Sequence, residues 1–262
     1  MFKRLSRVLV ATVAIGLLST AIAQNAPTAP AAAAPAVDVN AILKEQIPPL
    51  FAARDQGNNA KKAIELLEQA KAADAKNYEV RWRLAQFHYF IADSTNDNVL
   101  KAKEGKLGWD EAEVAKKLNP SGVDGYYWTA ACVGVYSEGS GIMTAVRQGL
   151  SDVFKQNAEK AEKINPNHDK GGPLRALGRF YFKLPWPLQD LEKSRSYLER
   201  AVKVSSESGR NLFYLADLEA SEGNTVKAKE LYNQVLALDP SKGDAPDIRL
   251  QQKRARAALA AL

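Results

Sequence analysis

The chain has 262 residues and carries 36 Lys and Arg against 30 Asp and Glu, a formal net charge of +6. Its single cysteine, Cys132, excludes an internal disulfide. Basic and acidic residues are mixed along the chain, as in Glu159-Lys160 and Glu162-Lys163. This mixture is typical of solvated helix surfaces, whereas a nucleic-acid-binding face has clustered charges of one sign, so no nucleic-acid partner is expected.

The first residues have the pattern of a secretory signal peptide. Three basic residues precede an apolar run over 8–18, and Ala21 and Ala23 form an A-x-A cleavage site. The run is too short for a comfortable transmembrane span, so we expect no stable membrane span after processing. No cysteine follows the cleavage site, so lipid attachment there is not expected. The pattern predicts a signal peptide over 1–23 and a periplasmic or secreted location.

An alanine-rich segment follows, and three prolines interrupt it. It has little apolar surface to bury and prolines oppose helix formation, which predicts an extended tether over 24–38. The folded domain is expected over 39–262.

Internal repetition dominates this domain. Three dipeptides, Asn119-Pro120, Asn165-Pro166 and Asp239-Pro240, each follow a stretch whose small residues are spaced as on one helical face. A second helical segment precedes each stretch, which predicts helical hairpins of the tetratricopeptide type, with proline ending the second helix. Such hairpins bury their apolar faces only by stacking on neighbours. We count about five of them.

The residues expected to pack between hairpins are small or apolar and recur at equivalent positions: Ala112, Ala115, Ala158, Ala161, Leu177, Gly178, Leu198, Ala201, Ala228 and Tyr232. The units have unequal lengths, and we place insertions at 94–104, 137–150 and 184–190. The middle insertion has an apolar stripe at helical spacing and is predicted to add a helix. Residues 247–262 are predicted to form a capping helix.

The predicted fold is therefore all-α: a tetratricopeptide-like helical-hairpin solenoid with inserted helices and a C-terminal capping helix. No segment alternates apolar and polar residues as a strand does. No nucleophile–base set or zinc-protease motif is present, and His168-Asp169 lacks partners at metal-ligand spacing. We predict a protein without catalytic residues, cofactor or metal.

Four residues are candidate ligand contacts, because aromatic residues cluster where the insertions enlarge the stack: Trp128, Arg175, Tyr181 and Trp186. Arg175 follows a Gly-Gly-Pro helix start, where a cation opposes the helix dipole, so we expect it to meet an acidic group. Two interpretations stay open, an internal ion pair with Asp190 or a contact to a ligand carboxylate. The aromatic residues fit either the core or a pocket wall.

Three segments, 78–85, 126–128 and 169–187, resemble the TatT family of tetratricopeptide proteins, which are associated with TRAP (tripartite ATP-independent periplasmic) transporters. A more distant likeness is to the regulator of microtubule dynamics proteins, through Trp82-Arg83-Leu84-Ala85 and Leu177-Gly178-Arg179. The TatT resemblance implies an all-helical periplasmic protein that accompanies the transporter's substrate-binding protein. It also implies a cleft or pore for a small, partly apolar ligand.

On this resemblance, the expected function is that of an exported, non-catalytic accessory of a TRAP-type transporter. It would bind a small, partly apolar acidic ligand, a periplasmic substrate-binding protein or both. The alternative is a general periplasmic protein–protein interaction scaffold in envelope assembly. Whether the chain forms homo-oligomers stays open. The chain departs from the family in lacking a lipidation cysteine and in keeping only Asp190 of the Gly-Asp pair expected after Pro187.

Overall fold

The computed structural model describes residues 37–262, which form one unit. The predicted signal peptide, and the predicted tether up to residue 36, lie outside the described residues. Within 37–262 there are helices and turns and no strand, so the predicted all-α solenoid is confirmed. In chain order the elements are α1 (Val39–Ala41), a π-helical turn (Ile42–Gln46), α2 (Ile47–Ala52), α3 (Asn59–Ala73), α4 (Tyr78–Ser94), α5 (Asn98–Leu118), α6 (Val123–Ser140), α7 (Ile142–Arg147), α8 (Leu150–Ile164), α9 (His168–Lys183), α10 (Leu191–Val204), α11 (Gly209–Ser221), α12 (Thr225–Ala237), a 3-10 turn (Pro240–Lys242) and α13 (Ala245–Ala261).

The helices pair as five hairpins followed by a cap. Helices α2, α4, α6, α9 and α11 come first in their hairpins, and α3, α5, α8, α10 and α12 come second. Helix α7 is the extra helix of the insertion at 137–150, and α13 packs on α11 and α12 as the cap. Helix α2 is short, follows the π-helical turn directly and has two prolines in its first turn.

The sequence explains where several helices begin and end. Helices α5 and α8 end two residues before Pro120 and Pro166, and α12 ends three residues before Pro240. Proline disfavours helical backbone in the residue that precedes it. At the helix starts, Asp97 and Asp190 accept hydrogen bonds from the first free backbone N–H groups of α5 and α10.

The ten predicted packing residues are all buried. The tightest helix pair is α5 and α6, which meet backbone to backbone through glycines. A Cβ atom on Gly105 would lie 2.7 Å from the backbone nitrogen of Tyr136, and one on Gly139 would lie 2.5 Å from that of Ala102. Gly108 is equally constrained. Only residues without a side chain allow the two helices to approach this closely.

The inserted helix α7 is bounded by two glycines in left-handed backbone. Gly141 has φ 94° and Gly149 has φ 73°, values that other residues rarely adopt. They let the chain change direction at both ends of α7. As a result, α7 packs across α6 and α8 instead of extending either helix.

The stack curves until its two ends meet. Arg54, after α2, donates from Nη2 to Oδ2 of Asp244, before α13, at 2.7 Å. Arg249 of α13 reaches back to Asp55, with 2.7 Å between Nε and Oδ2. Both pairs join residues that are about 190 positions apart. The first hairpin and the cap are therefore in direct contact.

A buried ion cluster lies at this junction. Arg210, at the start of α11, is 7% exposed and donates from Nη1 to Asp93 at 2.9 Å and from Nε to Asp247 at 3.0 Å. Arg254 of α13 binds the other oxygen of Asp93 at 3.1 Å. Burial alone would raise the pKa of Asp93, but the two guanidinium groups outweigh it and hold that pKa well below its usual range. One carboxylate is therefore shared by two cations.

We expect Gly105→Ala to lower the free energy of unfolding by about 1–3 kcal/mol, because the added methyl group overpacks a backbone contact. Gly209→Ala, at the start of α11, is the matched control, since its Cβ would meet its nearest neighbour at an ordinary 3.4 Å. Denaturant titration followed by circular dichroism compares the two variants. Wild-type stability in Gly105→Ala would contradict the close approach of α5 and α6.

Asp93→Asn should cost about 3–5 kcal/mol of unfolding free energy, because it leaves two enclosed arginines without their shared carboxylate. Asp55→Asn, which removes the partly exposed partner of Arg249, should cost at most about 1 kcal/mol. Because the folded-state pKa of Asp93 is lowered, its stabilisation is complete above the unfolded carboxyl pKa of about 3.9 and is lost as pH falls below it.

Wild type should therefore lose stability steeply below about pH 4, and Asp93→Asn should lose it less steeply. Denaturation midpoints measured across this pH range test the expectation. Identical pH profiles of the two proteins would show that closure of the stack does not depend on Asp93.

Candidate ligand-binding site

The first helices of the hairpins surround a cavity, here called the inner cavity. It measures about 850 Å³ including its open mouth, and α4, α6, α7, α8, α9 and α11 contribute to its walls. The apolar part of the wall consists of Val135, Ile142, Val146, Phe154, Phe180 and Leu184. Phe154 and Phe180 stack with their ring centres 5.0 Å apart. A concave, mostly apolar wall with a few polar groups is typical of small-molecule sites.

Three cations of α9 lie along the inner cavity. Arg175, Arg179 and Lys183 follow one another at four-residue spacing and so share one helix face. Arg175 pairs with Asp169 and Arg179 with Asp217, both at 2.7 Å. Lys183 has no acid within salt-bridge distance in the part of the chain that the structure describes. The side chain of Lys183 is exposed, and partial desolvation together with the like charge of Arg179 lowers its pKa, an effect that nearby Glu138 and Asp217 partly offset. A bound anion would neutralise this cation.

A second cavity lies where the two ends of the stack meet and is here called the junction cavity. It measures about 650 Å³, and its walls include Arg54 after α2 and Asp247 of α13. Tyr89, Tyr127 and Arg175 line both cavities and therefore form the partition between them. The same helices thus enclose an apolar space on one side and a polar one on the other.

The partition is held by a buried hydrogen-bond network. Tyr127 donates from Oη to Oδ2 of Asp169 at 2.6 Å and accepts from Nη2 of Arg175 at 2.7 Å. Nη1 of Arg175 donates to Oδ1 of Asn211 at 3.0 Å. Burial raises the pKa of Tyr127 well above its ordinary value, so its hydroxyl stays protonated and donates. Both terminal nitrogens of Arg175 are already engaged within the protein.

A left-handed turn places Asp169 in this network. Asp169, Lys170 and Gly171 have φ of 47°, 59° and 83°, and regular helical backbone follows only after them. Left-handed backbone is unfavourable for residues other than glycine. It is maintained here because Oδ2 of Asp169 accepts from both Tyr127 and Arg175. The segment before Gly-Gly-Pro is therefore a strained turn with a role in positioning a charge.

The internal partner expected for Arg175 is a different acid. Arg175 pairs with Asp169, whereas Asp190 caps α10 and pairs with Lys193 at 2.9 Å. The expected pair of Arg175 and Asp190 is wrong, because Asp190 is committed to the start of α10. Asp169 is brought to Arg175 by the left-handed turn, which helical spacing does not predict.

The three aromatic candidates lie in different places. Trp128 is buried and lines the junction cavity. Tyr181 stacks on Tyr197 at 6.0 Å between ring centres and lines neither cavity. Trp186 is 87% exposed and also lines neither. The structure therefore brings Arg175 and Trp128 to the cavities and leaves Tyr181 and Trp186 outside them.

Two features of the site were not predicted from the sequence. The four-residue spacing of Arg175, Arg179 and Lys183 is a local pattern from which Lys183 could have been found. The contact of Arg210 with Asp93 joins residues 117 positions apart, and no local pattern indicates it. Long-range ion pairs of this kind depend on the curvature of the whole stack.

Other reactive groups offer little chemistry. Among residues 37–262, no three or more His, Cys, Asp or Glu side chains are placed to hold a metal ion. Cys132 is fully buried, and burial raises the pKa of its thiol, which disfavours the reactive thiolate. No helix in this range combines the length and the apolar character needed to cross a bilayer.

Comparison with known proteins shows the family. Residues 45–262 match the family described as regulator of microtubule dynamics protein 1-3. Regulator of microtubule dynamics protein 3 of Rattus norvegicus is 27% identical over 143 residues, which cover 55% of this chain and 29% of that protein. The Mus musculus protein of the same name is 29% identical over 124 residues, which cover 47% and 26%. The chain spans less than a third of the length of these relatives.

A solved structure shows the same fold. A thermophilic TPR protein from Thermus thermophilus aligns with a TM-score of 0.62 at 18% identity, over 82% of this chain and 98% of that one. At this identity the likeness concerns the fold alone. The chain is thus a tetratricopeptide-like helical solenoid.

These relatives correct the predicted location. They come from rat and mouse, whose cells have no periplasm, so the expectation of a periplasmic or secreted protein is wrong. That expectation rested on a short basic and apolar pattern, which by itself does not specify a compartment, and on the TatT resemblance. The transporter-associated role depends on the same resemblance. The more distant likeness, through Trp82-Arg83-Leu84-Ala85 and Leu177-Gly178-Arg179, is the one that the family match supports. The chain belongs to the regulator of microtubule dynamics protein 1-3 family.

Proposed function

We propose that residues 37–262 form a non-catalytic binding domain whose inner cavity holds a small, partly apolar ligand with an acidic group. The observation that carries this proposal is a mostly apolar cavity, about 850 Å³ with its open mouth, that has at its edge a cation, Lys183, forming no salt bridge among these residues. The ligand's apolar part packs against Phe154 and Phe180, where burial of apolar surface provides most of the binding free energy. Its acidic group lies at Lys183.

We assign the acidic contact to Lys183 and not to Arg175. Asp169, Tyr127 and Asn211 already occupy the terminal nitrogens of Arg175. A ligand acid at Arg175 would have to displace the carboxylate of Asp169, whereas at Lys183 it would meet a cation that forms no salt bridge. Arg175 is therefore a residue that positions the partition in this proposal.

The lining of the inner cavity supports a binding role without catalysis. Among the described residues that form this lining there is no His and no Cys. The hydroxyl of Ser137, a lining residue, donates to the backbone carbonyl of Val133 at 2.7 Å and so is not held by a base. A nucleophilic hydroxyl needs an adjacent base that accepts its proton.

A matched pair of probes, decanoate and decanol, tests the acidic contact. Wild type should bind decanoate more tightly than decanol in calorimetric titration, because only decanoate carries the anion. Lys183→Met should weaken decanoate binding by about tenfold, the effect of losing one charged hydrogen bond, and should leave decanol binding unchanged. Lys103→Met, an exposed lysine of α5 outside both cavities, is the control and should bind both probes as wild type does.

If neither decanoate nor decanol bound the wild-type chain, this result would contradict a ligand in the inner cavity. Wild-type decanoate affinity in Lys183→Met would contradict the assigned contact. Mass spectrometry of solvent extracts from the purified protein then identifies the natural ligand.

A second candidate function, a protein–protein interaction scaffold, is favoured by the turn between α9 and α10. Trp186 and Leu188 on this turn are 87% and 51% exposed and lie outside both cavities. Exposed tryptophan is frequent among the residues that dominate protein interfaces. The turn therefore offers a protein partner an aromatic anchor.

Affinity purification of the chain from its own cells tests this second candidate. We expect at least one protein to be retained by wild type and lost from Trp186→Ala, because the variant removes the largest exposed apolar side chain of the turn. Val99→Ala, at an equally exposed apolar residue on α5, serves as the control and should retain that protein. An identical set of retained proteins for all three chains would count against the turn as an interface.

A further inference from the structure

Two residues of the junction cavity carry a buried polar atom that the fold leaves without a partner. Nε1 of Trp128 and Oε1 of Gln86 are buried, and neither makes a hydrogen bond within the described residues. Both residues line the junction cavity. A buried donor and a buried acceptor without partners carry a free-energy cost. Together they match a group that has both an N–H and a C=O, which is an amide.

Two opposite charges line the same cavity and are also unpaired. Lys170, on the left-handed turn before α9, and Glu207, before α11, are exposed and form no salt bridge among residues 37–262. The backbone segments that carry them are joined, because Nδ2 of Asn211 donates to the carbonyl of Lys170 at 2.9 Å and to that of Ser205 at 3.3 Å. The lining therefore presents one free ammonium and one free carboxylate from neighbouring segments.

The other charged groups of this cavity are already neutralised. Arg54 pairs with Asp244, and Arg210 with Asp247. The guanidinium of Arg54 also lies over the ring of Phe51, 4.1 Å from its centre. These groups form a fixed wall, so Lys170 and Glu207 are the charged side chains that remain available to an occupant.

We infer that the junction cavity is a second binding site, for a small zwitterion that carries an amide group. Its carboxylate would lie at Lys170 and its ammonium at Glu207. Its amide would donate to Gln86 and accept from Trp128. The same chemistry occurs in an amino acid with a carboxamide side chain and in a dipeptide, whose peptide bond supplies the amide and whose two ends supply the charges.

An occupant of this cavity would also contact both ends of the stack. The lining includes Phe51 from the first hairpin and Ile248 from α13. A ligand that binds only the closed form stabilises that form by RT ln(1 + L/Kd), where L is the concentration of free ligand, so the effect grows with that concentration. Binding should therefore raise the melting temperature of the protein, and this readout does not depend on the inner cavity.

The experiment uses the full chain, isothermal titration calorimetry and thermal melting, with L-glutamine and glycylglycine as probes and L-norleucine as a zwitterion without an amide. We expect L-glutamine or glycylglycine to bind and to raise the melting temperature, and L-norleucine to bind at least tenfold more weakly. Binding of L-glutamine alone indicates a free amino acid, and binding of glycylglycine alone indicates a dipeptide. Absence of binding by both at millimolar concentration would overturn the proposal.

Charge-neutral variants test the assigned contacts. Lys170→Gln and Glu207→Gln should each weaken binding of the better probe by about tenfold or more and leave the melting temperature of the free protein unchanged, because both side chains are exposed and unpaired. Lys203→Gln, an exposed lysine outside the junction cavity, should bind as wild type does. Wild-type affinity in Lys170→Gln or in Glu207→Gln, or equal binding of L-norleucine, would also overturn it.

Discussion

A single buried guanidinium, that of Arg210, joins the second hairpin to the cap of the helical stack through Asp93 and Asp247. Helical repeats usually contact only their neighbours, and their stability is then close to a sum of local terms. Here charged side chains of the first two hairpins pair with charged side chains at the cap. Leaving one of these charges unpaired in a buried environment would be strongly destabilising. The closed stack has enclosed spaces where an open one would have a groove. Both cavities depend on this closure.

Helix α9 gives the two spaces their different chemistry. Its left-handed first turn directs Asp169 at Arg175 and places Lys170 at the junction cavity, while its later turns bring Phe180 and Lys183 to the inner cavity. The partition between the cavities is polar, and hydrogen bonds satisfy both terminal nitrogens of its arginine. A satisfied buried network of this kind keeps one geometry, because each alternative leaves a charge or a hydroxyl unpaired. The apolar and polar compartments therefore stay distinct.

The sequence predicted the features that depend on local patterns. Proline positions indicated the ends of the second helices, and the apolar stripe of the middle insertion indicated α7. Closure of the stack could not be predicted, because it results from small rotations added over five hairpins and pairs residues far apart in sequence. The sequence did not show which aromatic residues are buried, because burial depends on how helices and turns are arranged in space. Trp128 is 5% exposed, whereas Trp186 is 87% exposed.

The glycines that bound α7 make this helix the part of the inner-cavity wall that is held least tightly. Elsewhere its wall is built from long helices, and the α5–α6 pair behind it is locked by direct backbone contact. Helix α7 has six residues, and three of them line the cavity. Glycines flank the helix on both sides, and glycine hinders backbone rotation least because it has no side chain. Local opening begins where few buried contacts must break. Among the helices of the wall, α7 is therefore the one expected to open first, and hydrogen exchange of its amides would report that opening.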